Sequence, residues 1–319
     1  MSVLYRFWPR SKLARREALA FYVFIAPWLI GFLAFTLYPM LASAYYSLTV
    51  YNVVQMKFVG LENFKELLRD DKFYWSLWVT AKYTLVSVPL GIAAALAVAV
   101  LLNQRVPFLS FWRTIYYLPS IITGVAVAIL WQWVLNPEYG VFNYLVFKPI
   151  TDKILTPLGL EPPSWFPPRW FWSETWVIPA YWIMGLWGIG GSMVVYLAGL
   201  QGVPTTLYEA AEIDGATAWQ RFWKITIPMI SPVILFTLIT NLIGALQMFT
   251  QAYVISNGLG GPNNASLLYV LYLFLNGFRW FRMGYASALA WVLFVIIITL
   301  TLLMLRVSRN LVYYESPGA

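Results

Sequence analysis

Residues 209–228 read EAAEIDGATAWQRFWKITIP, from Glu209 to Pro228. Three acids, Glu209, Glu212 and Asp214, fall within six residues here, between two long apolar runs. What such a segment can be depends on its surroundings. The chain has 319 residues, of which 61% are hydrophobic and only 11% charged, and its mean hydropathy is +0.68. A soluble domain of this length has too little interior to hide that much apolar surface, so the bilayer is its natural solvent. Cysteine and histidine are both absent. Disulfides, thiolate nucleophiles and the common zinc ligand sets are thereby excluded, and no metal or cofactor is expected. The formal charge of +8 raises the question of nucleic acid, but the basic residues are scattered. Their largest cluster, Arg6, Arg10, Lys12, Arg15 and Arg16, directly precedes an apolar run. That is the pattern of a positive-inside anchor, and no nucleic-acid partner is expected.

Apolar runs of about 20 residues are the signal of a membrane span. Six occur: Phe21–Ser43, Tyr83–Leu102, Ile115–Leu135, Trp176–Leu200, Met229–Ile255 and Tyr285–Val307. The first is too long for the apolar core of a secretory signal and lacks a small-residue cleavage pattern, so it stays as a helix. The expected fold is therefore an all-α polytopic membrane protein with six transmembrane helices. Residues 1–20 form a basic cytoplasmic segment, 21–307 the spans with a cytoplasmic loop at 201–228, and 308–319 a cytoplasmic tail. The basic cluster before span one sets this orientation, with Arg105, Arg113, Arg306 and Arg309 on the same side.

The loop FVGLENFKELLRDDKFYWSLW between spans one and two predicts a short surface helix from Phe64, Leu67, Leu68 and Phe73. The loop KPITDKILTPLGLEPPSWFPPRWFW (148–172) is rich in proline and tryptophan. Its prolines at 157, 162, 163, 167 and 168 argue against regular helix, and it reads as an outer cap, either interfacial padding or a docking surface. SNGLGGPNNAS (256–266) marks a turn-rich loop. The apolar run Leu267–Phe278 that follows is too short to span and predicts an interfacial or partly inserted segment.

There is no G-x-x-x-x-G-K-[ST] phosphate loop, so the chain is not expected to hydrolyse ATP. The spans are nearly free of ionisable side chains; Lys82 sits at the end of span two, where it can snorkel. An ion-coupled carrier or a voltage sensor needs such groups in the membrane. No catalytic residue is expected.

Within the opening stretch, Thr206-x-x-Glu209 has the spacing of a capping box, with Pro204 just upstream. Leu207, Ala210, Ala211 and Asp214 share one face of a short helix, and Gly215 can take the left-handed turn that ends it. Beyond the turn, Trp219, Phe222, Trp223 and Thr226 fall opposite Gln220, Arg221 and Lys224, the pattern of a helix lying in the membrane surface until Pro228. A merely well-capped loop and a docking element both fit the spacing. The segment also resembles the signature of the membrane subunits of binding-protein-dependent ABC importers: E-A-A, three residues, G, nine residues, I-x-L-P. Glu209, Ala210, Ala211, Gly215, Ile225 and Pro228 match, and Ile227 stands where leucine is usual. EAAEIDGA is similar to the carbohydrate subfamily, as are RTIYYLPSIITGVAVAILWQWVLNPEYGVFNYL (113–145), GYASALAWVLF (284–294) and the terminal RVSRNLVYYE.

The resemblance implies a type I ABC importer permease fold in the inner or plasma membrane of a prokaryote. It implies as partners a second permease subunit in a heterodimer, two ABC ATPase subunits, an extracytoplasmic solute-binding protein and a sugar substrate. It also implies that Glu209, Ala210, Ala211, Asp214 and Gly215 couple the chain to the ATPase. Two adjacent alanines allow a foreign backbone close, and the acids offer acceptors to basic side chains. Glycerol-phosphate, a polyol or another small solute is the alternative cargo; a channel or secondary carrier is the alternative class. In span five, Thr240, Gly244, Gln247 and Gln251 share a face, with Asn241 beside it. Asn241, Gln247 and Gln251 are the candidate substrate-path residues, with Phe249 and Tyr253 as candidate stacking faces. Amides bond sugar hydroxyls as donor and acceptor, and they equally bond helices together in lipid. Both readings stay open from the sequence.

Overall fold

The computed structural model describes residues 11–104, 106–161, 163 and 166–308. Arg6, Arg10, Arg105, Pro162, Arg309 and the tail beyond Ser308 lie outside them. Four helices are long and apolar enough to cross a membrane: α1 (Lys12–Ser47), α3 (Asp71–Leu102), the segment Ser231–Ile255, and α13 (Met283–Ser308). Two bent pairs, Leu109–Ile121 with Gly124–Val134 and Val177–Trp187 with Gly190–Gln201, bring the number to the six expected when each pair is counted as one span.

The helix ends differ from the apolar runs for local reasons. In α1, Ser11 caps the first turn by accepting from the Ala14 amide at 3.1 Å, so the helix starts well before Phe21. A π turn at Leu33–Leu37 precedes Pro39, which has no N–H for the carbonyl four residues back. In α3, Asp70 accepts from the Lys72 amide at 2.9 Å and starts the helix twelve residues before Tyr83. Charged and aromatic residues dilute the hydropathy of that first stretch without weakening its helix. Phe73 consequently belongs to α3; the surface helix α2 is only Glu62–Leu67. α13 agrees with its apolar run to within two residues at each end.

The remaining spans are broken, where continuous helices are expected. Span three divides into α4 (Leu109–Tyr117, with a 3-10 turn Leu118–Ile121) and α5 (Gly124–Val134), bent by 103°. Pro119 and Gly124 flank the break. Span four divides into α6 (Val177–Trp187) and α7 (Gly190–Gln201), bent by 48° at the glycine-rich stretch GLWGIGG. Span five divides into α10 (Ser231–Leu246) and α11 (Thr250–Ile255). Ahead of it come α8 (Thr205–Ile213) and α9 (Ala218–Arg221), the latter continuing through a π turn, Phe222–Thr226, to Met229. α12 (Tyr269–Phe274) is short, in keeping with its run. Contrary to the proline argument, residues 143–155 are helical, largely with π geometry, and stop just before Pro157.

The chain forms two compact units. In the one containing the segment up to Leu68 and Asn276–Val292, strands β1 (Thr49–Tyr51) and β2 (Met56–Phe58) pair antiparallel, Thr49 opposite Phe58. Asn63 donates to the carbonyls of Ser47 and Thr49, each at 2.8 Å. Gly284 lies so close that a Cβ there would come within 1.9 Å of the Thr49 carbonyl oxygen. Arg282 pairs with Glu66 and stacks over the Tyr285 ring at 4.4 Å.

The larger unit is built around α3. Ala95 and Ala99, fully buried, let α3 approach Met193, Tyr196 and Leu200 of α7 and Ile230 at the head of α10. In lipid, where apolar burial gives no net drive between helices, such small-residue contacts are what allow tight packing. Gly199 serves the same end, with Val233 side-chain atoms 3.0 Å from where its Cβ would be. The Tyr196 hydroxyl bonds that of Thr237 across the α7–α10 contact. On the other side of α3, Thr80 accepts from the Tyr269 amide at 2.8 Å, and Tyr272 donates to Asp70.

Candidate functional site

The stretch at 209–228 is a two-helix elbow. α8 does not begin with the expected capping box. Pro204 takes the cap position with extended ψ, so Thr206 is already the second helical residue and its side chain makes no cap bond. Glu209 is left exposed, its carboxylate without a partner among the described residues. The capping box forms one helix later: Thr217 Oγ1 accepts from the Gln220 amide, while Gln220 Oε1 accepts from the Thr217 amide at 2.8 Å. Gly215 does take the left-handed turn, at φ +73°. The Ala216 amide donates to the Ala211 carbonyl at 2.9 Å and that of Gly215 to Glu212 at 3.0 Å, so the last carbonyls of α8 are satisfied.

Two further ties fix the elbow, and the reading of the sequence missed both. Arg221 pairs with Glu212 across the bend. The hydroxyls of Tyr208 and Thr226 lie 2.9 Å apart. Tyr208 also packs, with Ile225 and Met229, against the core cluster of α3 and α7. The outer face of α8 carries Glu209, Ala210 and Asp214 into solvent, while Ala211 is half-buried. The rings of Trp219, Phe222 and Trp223 cluster, with Trp219 and Trp223 exposed. Ile213, at 88% exposed, adds a bare apolar side chain at the tip of α8.

The second feature is a cavity of about 540 Å³ in the larger unit, within the range usual for small-ligand sites. Asn241, Gln247 and Gln251 all line it. So do Tyr83 and Ser87 of α3, Ser120, Trp182 and Ser192. None of its lining residues is Asp, Glu, Lys or Arg. The three helix breaks converge here: Ile122, Gly188 and Ile189, and Gln247 through Phe249 all face the space. Each break ends one helix and begins another, and α5, α7 and α11 all begin without a side-chain cap. A helix end leaves carbonyls, and a helix start leaves N–H groups, without intrahelical partners. At membrane depth such backbone is tolerated only where it lines a cavity or is buried in protein.

The amides divide into two roles. Asn241 Nδ2 reaches Ser192 Oγ of α7 at 3.3 Å and so bridges two helices. The side-chain amides of Gln247 and Gln251 have no hydrogen-bond partner among the described residues, and both residues line the cavity. They do not lie one turn apart on a continuous helix, as expected; the break, with Phe249 at φ −135° and ψ −59°, falls between them. Phe249 lines the cavity, but Tyr253 does not: its ring packs behind, 5.3 Å from Phe249 and 5.2 Å from Phe274. The Trp182 indole N–H donates to the Tyr83 carbonyl at 3.2 Å, which fixes its ring at the wall. Glycine and proline clustering in YLPSIITG and GLWGIGG was the signal that could have placed the breaks. Among the described residues no three acidic, His or Cys side chains are grouped closely enough to hold a metal ion.

Residues 87–312 match the family described as binding-protein-dependent transport system inner membrane component. The chain is 44% identical over 311 residues to the probable ABC transporter permease protein YesP of Bacillus subtilis, covering 96% of each. It is 35% identical to the lactose transport system permease protein LacF of Rhizobium radiobacter, covering 94% of this chain and 98% of that one. The trehalose/maltose transport system permease protein MalF of Thermococcus litoralis is 34% identical, with 94% and 97% covered. Among solved structures, a bacterial alginate ABC transporter in complex with an alginate pentasaccharide-bound periplasmic protein shares the fold, with a TM-score of 0.77 at 24% identity. That match covers 94% of this chain and 98% of the other.

Proposed function

The chain belongs to the family of binding-protein-dependent transport system inner membrane components, and on that basis we propose that it forms half of the membrane path of an ATP-driven saccharide importer. It is a transport subunit and not an enzyme. The observation that carries the saccharide reading is the cavity. Its wall has no Asp, Glu, Lys or Arg, and it presents two unpartnered side-chain amides, several hydroxyls and the ends of three broken helices. A neutral, hydroxyl-rich ligand needs donors and acceptors in equal measure and no counter-charge, which is what paired helix ends and amides supply. A phosphorylated cargo would call for a cation here, and the wall has none. The lactose and trehalose/maltose relatives support the same class.

In this reading a second permease chain completes the path, a binding protein delivers the sugar from outside, and separate ATPase subunits supply the energy. Both termini and α8–α9 are cytoplasmic, as the basic cluster ahead of the first apolar run directs. The elbow then meets the ATPase through Glu209, Ala210, Ala211, Asp214 and Gly215. Its cross-ties keep the angle between α8 and α9 fixed, so closure of the ATPases moves the cavity helices as a body. The test is uptake into proteoliposomes holding the assembled importer, its binding protein outside and ATP inside. A sugar panel should show ATP-dependent accumulation that Gln247→Leu reduces; accumulation that is indifferent to both ATP and binding protein would refute the reading.

A further inference from the structure

We propose that the loop region between α5 and α6 forms a second saccharide-binding site, a vestibule through which sugar passes before reaching the cavity at the helix breaks. The proposal rests on the importer reading above and adds a site to it. The region holds a concave space of about 880 Å³, larger than the cavity at the breaks. Glu138, Arg169, Trp172 and Trp176 line it, with Phe166 at one side. Glu138 and Arg169 face the same space yet form no ion pair with each other or with any other described residue. Trp172 is 51% exposed, while Trp170 two residues earlier is buried.

These are the components of a carbohydrate site. Indole faces accept the C–H face of a pyranose ring, while a carboxylate and a guanidinium bond neighbouring hydroxyls with charge-assisted strength. A flat surface would better suit a protein partner; this one is concave with a few convergent polar groups. It is also built rigidly. The buried Trp170 indole N–H donates to Asn143 Oδ1 at 2.8 Å, and Asn143 Nδ2 donates to the Pro137 carbonyl at 3.3 Å. Asn136 Oδ1 accepts from the Glu138 amide at 2.8 Å. Edge-to-face contacts of Trp170 with Phe142, Phe147 and Trp176 complete the frame. Glu138 is thus held in place by its own backbone turn.

The two sites share α6. Trp176 is its N-terminal cap residue, and Trp182 and Trp187 line the cavity at the breaks. Six residues of helix rise about 9 Å. That separation along the axis is roughly two pyranose rings, so α6 links the two sites without bringing their indoles together.

The experiment uses the complete importer in lipid nanodiscs without its binding protein, probed by saturation-transfer NMR with lactose, trehalose, maltotriose and an alginate trisaccharide. At least one probe should bind. Trp172→Ala and, separately, Glu138→Ala should weaken that binding about three- to tenfold, as loss of one good contact does. Both substituted residues are exposed, so folding is not at issue, and Arg169→Gln gives a third reading of the same rim. Binding by no probe, or binding unchanged in all three rim variants, overturns the vestibule while ATP-driven uptake still stands for the importer. Variants that keep saccharide binding but lose capture of the binding protein would make the rim a protein dock, and would overturn it as well. Loss of uptake in the wild-type assembly itself counts against the importer reading instead.

Discussion

Arg221 and Glu212 form an ion pair that spans the left-handed turn at Gly215 and ties α9 back to α8. Glu212 is therefore already engaged within the chain, and the acids free to meet a partner's basic groups are Glu209 and Asp214. The pair is partly exposed, with side-chain exposures of 23% and 61%, so its contribution to stability is at most about 1 kcal/mol after screening. What it constrains is the angle between α8 and α9. Glu212→Lys should leave assembly and thermal stability nearly unchanged but lower sugar transported per ATP hydrolysed, and adding Arg221→Glu should restore part of the loss. Equal coupling ratios in the wild type, the single and the double variant would show that the tie does not matter.

Glu209→Lys reverses charge on the open face of α8, and Gly215→Pro cannot take φ +73°. Either change should abolish ATP-driven uptake while the chain still inserts and is recovered from membranes. Wild-type uptake with wild-type stimulated ATPase activity in both would remove the elbow from the coupling path.

The absence of cysteine permits a clean topology test. Single cysteines at positions 12, 161 and 220 are all on exposed residues. A membrane-impermeant thiol reagent should label 161 from outside the cell and 12 and 220 only after the membrane is opened. The opposite pattern would place α8 and α9 outside and overturn the orientation.

Asn241 and Gln247 should respond differently to the same chemistry. Asn241→Leu deletes the bridge to Ser192 and should lower the melting temperature of the purified complex, the lost bond being worth about 0.6 kcal/mol on average in such bundles. Gln247→Leu removes no internal bond. It should leave melting unchanged and lower uptake several-fold, about 0.5–1.5 kcal/mol for a polar contact to a neutral sugar. Identical melting losses in the two variants, with sugar preference intact, would assign Gln247 to helix packing.

Gly190 and Gly185 test the break in span four. A Cβ at Gly190 would lie 2.4 Å from the Tyr116 carbonyl oxygen and 2.8 Å from Tyr117 Cα, both backbone atoms that cannot step aside. Gly190→Ala should cost about 1–3 kcal/mol as overpacking and reduce recovered complex. At Gly185 a Cβ meets nothing within 4 Å, so Gly185→Ala should melt like the wild type. Indistinguishable melting of the two would mean that α4 and α7 are not in close contact at this point.

How far the sequence could be read depended on whether a feature is local. The turn at Gly215 was legible because one residue type and its spacing specify it. α13 was legible because its apolar run and its helix coincide. The starts of α1 and α3 were not, since Ser11 and Asp70 cap helices whose first turns are too polar to register as membrane. The capping box was assigned to Thr206 although Pro204 had already taken the cap geometry; the same box was present at Thr217 and Gln220. The breaks in spans three, four and five were lost because a hydropathy average is blind to backbone direction. Gln247 and Gln251 line one cavity, but not in the way expected: the sequence put them on one helical face, and the fold brings them there across an unwound turn. Ser120, Trp182 and Ser192 join them from distant segments, which no single-segment pattern contains.

The convergence of three unwound turns has a bearing on how this protein can change. Carbonyl oxygens and amide hydrogens belong to every residue, so no single substitution deletes them, short of proline at the donor positions. Under the saccharide reading proposed above, the part of the wall that comes from the main chain is therefore held constant by the path of the backbone while side chains drift. On that reading a change of cargo needs few steps: an exchange at Gln247 or Gln251 alters the part of the wall that point mutation can reach and leaves the backbone groups in place.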